Sequence, residues 1–385
     1  MDGDRELRIE VHPRIADLPS AAWDACAGPD NPFVSHAFLS ALEDSGSVAA
    51  RTGWQPQHLA IREPDGALAG VVPLYLKSHS YGEYVFDHGW ADAYERAGGT
   101  YYPKLQCAVP FTPVTGSRLL VRPGASPHTA EALASGMVEL ARQLKVSSLH
   151  VTFPTEAEWR LMGDLGFLRR TGQQFHWENR GYQSFEDFLA ALNSRKRKSI
   201  RKERREALEG GIEIHTLNGT AIEPQHWDAF YDFYLSTSDR KWGSAYLNRE
   251  FFNLLGERLA DKVVLVMAEQ AGRLVAGALN LMGSDTLYGR NWGCHGDFKF
   301  LHFEACYYRA IDFAIDRGLA RVEAGAQGTH KIQRGYLPSP TYSAHWIRDP
   351  GFARAIADFL DRERRMIDRE MDGLAEMSPF KREAE

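Results

Sequence analysis

The residues able to do chemistry gather behind two short apolar runs in the second half of the chain. The first run closes as Leu287-Tyr288-Gly289-Arg290-Asn291-Trp292-Gly293-Cys294, with His295, His302 and Glu304 soon after. The second closes on Glu323 and continues through Gln327, His330, Lys331 and Arg334, with glycines at 325, 328 and 335. In an open α/β sheet, ligands sit beyond the carboxyl ends of the strands, so two neighbouring strands ending this way should rim one pocket. Arg290, Lys331 and Arg334 are cations suited to phosphate or carboxylate, and the glycines let backbone approach a ligand. Glu323 on a buried strand needs a partner. Its structural alternative is a salt bridge to Lys331 or Arg334. His302 and Glu304, two positions apart at a helix start, cannot share a helical face, and histidines 295, 302 and 330 match no zinc spacing. No metal is expected.

Two other charged groups stand out. Eight of the twelve residues 195–206 are Lys or Arg. A solvated helix surface explains such a run, and so does contact with phosphates of a tRNA, nucleotide sugar or coenzyme A. Asp239, Arg240 and Lys241 precede Trp242 and could form an ion pair or clamp a substrate. Phosphate-loop, dinucleotide and nucleophile-elbow motifs are missing.

The elements that must position these residues fall into two passes of similar grammar. In the first, a strand at 7–11 leads to a helix around 37–45 that Ser35 can cap. Runs 58–62 and 68–77 flank Glu63-Pro64-Asp65-Gly66, which reads as a hairpin. A Gly-, Pro- and aromatic-rich stretch, 80–116, has no clean period. A helix through 132–144, a strand at 148–153, a helix at 156–165 and a strand at 173–178 follow. The second pass has strands at 262–269, 274–282 and 286–292, a helix over 303–315 stopped by Gly318, and strands at 320–324 and 343–347. A helix over 353–372 closes it. Between the passes, Ser184 caps a continuous basic helix over 185–208. The chain therefore reads as 1–180, a linking arm 181–211, and 212–385.

Gross properties agree. A chain of 385 residues, 44% apolar and 25% charged, suits two globular domains of mixed α/β type. The net charge of −6 argues against a surface built wholly for nucleic acid. Four scattered cysteines, a charged start and no long apolar run suit a cytoplasmic protein with reduced thiols and no membrane span.

Residues 238–243 (SDRKWG), 287–294 (LYGRNWGC), 301–308 (LHFEACYY) and 324–336 (AGAQGTHKIQRGY) resemble the FemAB-like family of N-acyltransferases, labelled peptidoglycan biosynthesis/recognition. So do 89–94 (GWADAY) and 102–113 (YPKLQCAVPFTP), and the similarity spans nearly the whole chain. The resemblance implies α/β mixed sheets in tandem GNAT-like acyltransferase domains of Fem type, with a basic helical segment between them. It implies transfer from acyl-CoA or aminoacyl-tRNA, as co-substrate and not as bound cofactor, to a small-molecule or peptide amine. The run 195–205 would be the tRNA contact. On that reading Glu323 or Glu304, then His330, would be the base. Arg290, Trp292, Gln327, Lys331, Arg334, Asp239 and Arg240 would bind substrate, with a main-chain N–H near 292–294 for the oxyanion. Asp87, His88, Trp90 and Lys104 would complete a cleft between the domains. Two departures stand: the GNAT pyrophosphate loop, Q/R-x-x-G-x-G/A, is replaced at 293–302 by GCHGDFKFLH, and a Gly-rich loop follows strand 320–324 where a further GNAT helix would stand. The arm is also a short basic helix and not a long antiparallel pair. The other class of function is a non-catalytic recognition module for a cell-wall precursor, nucleotide sugar or tRNA.

Overall fold

A computed structural model describes residues 8–242, 245–325 and 328–381, without the side chains of 238–242. From the N-terminus run β1 (Arg8–His12), α1 (Ser20–Ala27), α2 (His36–Asp44), β2 (Trp54–Pro56), β3 (His58–Arg62), β4 (Leu68–Val72) and β5 (Leu74–Lys77). There follow α3 (His88–Arg96), β6 (Lys104–Cys107), β7 (Leu120–Val121), α4 (Thr129–Gln143), β8 (Ser148–Thr152), α5 (Glu156–Asp164) and β9 (Leu168–Glu178). Next are α6 (Phe185–Ala191), α7 (Ser194–Ala207), β10 (Ile212–Asn218), α8 (Pro224–Trp242), α9 (Arg249–Arg258), β11 (Val263–Gln270), β12 (Arg273–Met282) and β13 (Thr286–Cys294). A helical segment starts as α10 (Leu301–Phe303), passes a π turn (Glu304–Tyr308) and continues as α11 (Arg309–Asp316). Then come β14 (Arg321–Glu323), a 3-10 turn (Thr329–Arg334), β15 (Leu337–Ile347) and α12 (Pro350–Ala375).

The chain forms two compact units, 1–172 with 340–368 and 173–339 with 369–385. The contiguous division at 180 and 211 expected from sequence gives way to this exchange. Its reason is pairing: residues 343–347 of β15 lie antiparallel on β8, so the end of the chain belongs to the first core.

In the first unit β3 and β4 form the expected hairpin, Gly66 taking a φ of 87° in its turn. Helix α4 lays Leu133, Met137 and Ala141 on the sheet, where they join Leu59, Leu105, Leu149 and Val151 in one core. The helix sits so close to β4 that a Cβ on Gly70 would meet Leu133 and Thr129 at 2.9 Å. The stretch 80–116 is not structureless, since it holds α3 and β6.

In the second unit β10 to β13 pair antiparallel in sequence, β13 pairs β14 in parallel, and β14 pairs the end of β9 antiparallel. The apolar face of α11, Ala310, Ile311, Phe313, Ala314 and Ile315, is buried against this sheet's core with Leu287 and Val322. The basic segment is two helices, not one. Leu192 is extended and buried, and the Asn193 side chain then caps α7 by accepting from the Lys196 N–H.

Candidate functional site in the second unit

Strands β13 and β14 stay together for only three residue pairs, Thr286↔Arg321, Leu287↔Val322 and Tyr288↔Glu323. Beyond them β14 ends, while β13 runs on to Cys294, still paired to β12 on its other edge. Parallel neighbours that part in this way leave one edge of main-chain groups on β13 without strand partners. A bulge adds to the opening. Leu279 faces Asn291 and Asn280 faces Gly289, which leaves Arg290 as the extra residue. Gly293 lets α8 close over the strand, because a Cβ there would lie 2.0 Å from the Phe233 carbonyl oxygen.

Glu323 is the last residue of β14 and stands at the fork, 4% exposed. Its register partners are Tyr288 on one side and His176 on the other, so three titratable side chains form a row across β13, β14 and β9. Glu323 Oε1 lies 3.9 Å from His176 Nε2, and its Oε2 has no hydrogen-bond partner among the described residues. Burial pushes the Glu323 carboxyl up to about 8, against the pull of Arg321 and Arg290. Burial also holds the His176 imidazole down to about 3 and raises the Tyr288 phenol. Neither salt bridge considered for Glu323 forms: Lys331 and Arg334 bond elsewhere.

Lys331 is 2% exposed and donates from Nζ to the carbonyls of Ala324 (2.6 Å) and Gly325 (2.9 Å), the residues just past Glu323. Burial pulls its ammonium down to about 8. Arg334 is bound to Glu203 of α7 and lies 3.4 Å over the Phe303 ring. It is a structural cation here, and does not face a ligand. Glu304 is corrected in the same way. It is fully buried and accepts from Arg204 (3.0 and 3.1 Å) and Arg309 (2.8 Å), so its lone pairs are spent on guanidiniums. His330 is exposed and 3.0 Å from the Tyr307 hydroxyl, and burial, Arg334 and Lys331 lower its pKa. Its ring and those of Trp292, His302, Phe303 and Tyr307 form a half-exposed cluster, Trp292 5.3 Å from His302 and His302 6.5 Å from His330. Gln327 and the side chains of Asp239 and Arg240 lie outside the described residues.

The first unit has a comparable parallel pair, β6 with β8, in register at Leu105↔Leu149 and Cys107↔Val151. There a buried cation meets the carbonyl at the end of β8. Arg118 is fully buried and donates to the carbonyls of Thr152 (3.0 Å), Val114 (2.6 Å) and Gly116 (3.0 Å). Asp87 and Lys104 are corrected too, because they form a core ion pair. Lys104 Nζ reaches Asp87 at 2.5 Å, Glu83 at 2.7 Å and Ser80 at 2.8 Å. Trp90 is buried against the His345 ring at 5.0 Å, and His88 is exposed beside Phe86 and Tyr81.

Residues 14–382 match the family described as peptidoglycan biosynthesis/recognition, FemAB-like. The chain belongs to the FemAB-like family. Among curated proteins, none matches it in sequence. Its backbone is similar to that of FemX, with a TM-score of 0.55 at 12% identity over 91% of this chain and 100% of the other. A C-terminal domain assigned to lysylphosphatidylglycerol synthetase from Agrobacterium fabrum gives 0.55 at 9% identity over 90% and 96%. L-PGS from Bacillus licheniformis gives 0.51 at 10% over 87% and 98%. At these identities the likeness is one of fold, an α/β fold with mixed sheets. FemAB-like membership makes the chain an acyltransferase-type enzyme.

In this FemAB-like chain the sequence reading missed His176, Tyr288, Glu203 and Arg204 as members of the site and its frame. His176 carried a signal. Gln174, His176 and Glu178 alternate along a strand, so polar residues occupy one face of the last five residues of β9. Glu203 and Arg204 were hidden inside a run read only for its net charge. Among the described residues, no group of three or more His, Cys, Asp or Glu is placed to hold a metal ion, and no helix is long and apolar enough to cross a membrane.

Proposed function

We propose that the second unit transfers an acyl or aminoacyl group from an activated donor, acyl-CoA or aminoacyl-tRNA, to the amine of a small-molecule or peptide acceptor in the cytoplasm. The observation that carries this reading is Glu323, a buried carboxyl whose Oε2 has no hydrogen-bond partner among the described residues, at the point where β13 and β14 part. Its pKa of about 8 is near the pH at which an ammonium must be deprotonated, where a general base contributes ~10²–10⁴ in rate. Glu323 takes a proton from the acceptor ammonium, and the freed nitrogen attacks the donor carbonyl. The intermediate collapses to the amide as the thioester C–S or ester C–O bond breaks, the nitrogen's second proton passing to the departing coenzyme A thiol or tRNA hydroxyl. A main-chain N–H of β13 near Trp292–Cys294, beyond the end of β14, meets the developing oxyanion. Arg290, on the bulge, contacts an anionic part of donor or acceptor, and Trp292 and His330 provide ring faces beside it. Holding both reactants in the fork contributes up to ~7–11 kcal/mol.

The replaced pyrophosphate loop speaks against acyl-CoA and so for aminoacyl-tRNA as the donor. Between β13 and α10 stand Asp297 and a Lys299 already paired to Glu206 at 2.7 Å. On α7, Arg195, Lys198 and Arg205 are exposed, whereas Arg204 is turned inward. The test is turnover with acetyl-CoA, longer acyl-CoAs and aminoacyl-tRNAs against a panel of amines. Transfer from one of these that is lost in Glu323→Gln supports the reading; transfer undiminished in that variant removes it.

A further inference from the structure

The basic run is one helix with two different faces. Ile200, Glu203, Arg204 and Ala207 turn inward, Ile200 and Ala207 being buried. Arg204 fastens α7 to the π turn and α11 through Glu304 and Asp312, with Asp312 at 2.6 Å. With Arg204, Ile200 and Ala207 in place, the attachment of α7 does not depend on Glu203, which reaches another element. Glu203 Oε2 accepts from Arg334 Nε (3.1 Å), Arg334 Nη2 (2.9 Å) and the Tyr308 hydroxyl, and Oε1 lies 3.4 Å from Ser199 Oγ. Arg334 Nη1 donates in turn to the His330 carbonyl at 2.8 Å. The next residue, Lys331, holds the carbonyls of Ala324 and Gly325. The pair is well shielded, the side chains being 8% and 13% exposed.

We infer that Glu203 is a positioning residue: it holds Arg334, through Arg334 the turn 329–334, and through Lys331 the main chain that leaves Glu323. A carboxylate inside the basic run thus sets the geometry of the fork from one turn away on α7. The catalytic consequence rests on the acyl-transfer reading; the mechanical one does not. Without Glu203 the two-pronged hold on Arg334 is lost, the turn loosens, and Lys331 leaves its carbonyls. Misplacement of about 1 Å at a reacting centre costs on the order of 10²-fold in rate.

The test uses the full chain with Glu203→Ala, Glu203→Gln and Arg334→Ala. Competitive acetylation by acetic anhydride, read by mass spectrometry, reports Lys331 without any donor. Lys331 should be protected in the wild type and acetylate at the rate of an exposed lysine in Glu203→Ala and Arg334→Ala. Glu203→Gln, which keeps an acceptor oxygen, should fall between. In turnover, kcat should drop by about 10²-fold with acceptor KM nearly unchanged, and the double variant should be no worse than either single one. Unchanged Lys331 labelling in folded Glu203→Ala, or independent multiplicative losses in the double variant, would overturn the assignment. Should Glu203→Ala fail to fold, Glu203→Gln against Arg334→Ala carries the same comparison. An active Glu323→Gln would defeat the acyl-transfer reading while leaving the labelling result to decide Glu203.

Discussion

Glu323 and Glu304 are both almost wholly buried, and their surroundings give them opposite work. Glu304 is held by Arg204 and Arg309, so it completes a charge lattice. Glu304→Ala should cost about 3 kcal/mol, because it leaves Arg309 without its carboxylate and takes from Arg204 one of its two. A lowered denaturation midpoint with near-normal turnover per folded molecule is the expected outcome. Glu323 has His176 and Tyr288 beside it instead, and stays protonated at neutral pH. A carboxyl whose folded pKa is raised contributes stability that is whole below the usual 4.5 and is lost as pH rises through about 8. Glu323→Gln should therefore lose less stability than the wild type between pH 7 and 9.5, as denaturant midpoints at the two pH values would show. At this scale the sequence made Glu323 legible, as an acid ending an apolar run beside glycines. It could not separate Glu323 from Glu304, because the guanidinium that occupies Glu304 comes from α7, far away in the chain.

Elements decide what those residues can reach. The fork exists because β14 is three residues long and β13 is nine. Gly293 keeps the longer strand under α8, so Gly293→Ala sets a methyl against the Phe233 carbonyl, which as backbone cannot swing aside. An overpacking cost of about 1–3 kcal/mol follows, measurable as a drop in Tm. In the first unit β8 and β15 place His150 opposite His345, with Nδ1 atoms 2.7 Å apart and both rings fully enclosed. Burial holds His150 down to about 3 and His345 well below its usual value. The unfolded chain takes up protons below 6.5 that the native pair refuses, so stability is present above that pH and lost as pH falls toward 3. A His150→Gln, His345→Gln variant that folds should show a flatter pH dependence of its urea midpoint between pH 7 and 5. Periodicity revealed the strands and the α4 and α11 helices. It joined α6 to α7, because a buried leucine followed by a capping asparagine looks helical until the chain is seen to turn. It also left α3 and β6 inside an aromatic stretch, whose packing hides both periods.

At the scale of the molecule, one chain supplies two units of similar grammar with unlike fates. In the first, Arg118 binds the carbonyl that ends β8; in the second, Lys331 binds the carbonyls that follow β14, and β13 runs on past that point. Tandem α/β units were readable from element order and from the motifs shared with the FemAB-like family. The exchange of the final strand was not, since no local pattern tells β15 to pair with β8. The exposed cations of α7 carry a prediction of their own. Replacing Arg195, Lys198 and Arg205 by Gln should weaken aminoacyl-tRNA binding and flatten its salt dependence by up to about three counterions, with acceptor binding unchanged. Filter binding across 50–200 mM salt measures it.

The most direct measurement is the pH–rate profile of amine acylation for the wild type and Glu323→Gln, with whichever donor supports turnover. The account predicts a wild-type rate that rises with pH through about 8, and a variant slower by ~10²–10⁴ in which that limb is gone. A Glu323→Gln enzyme with the same limb and a rate within a few-fold of wild type would contradict it.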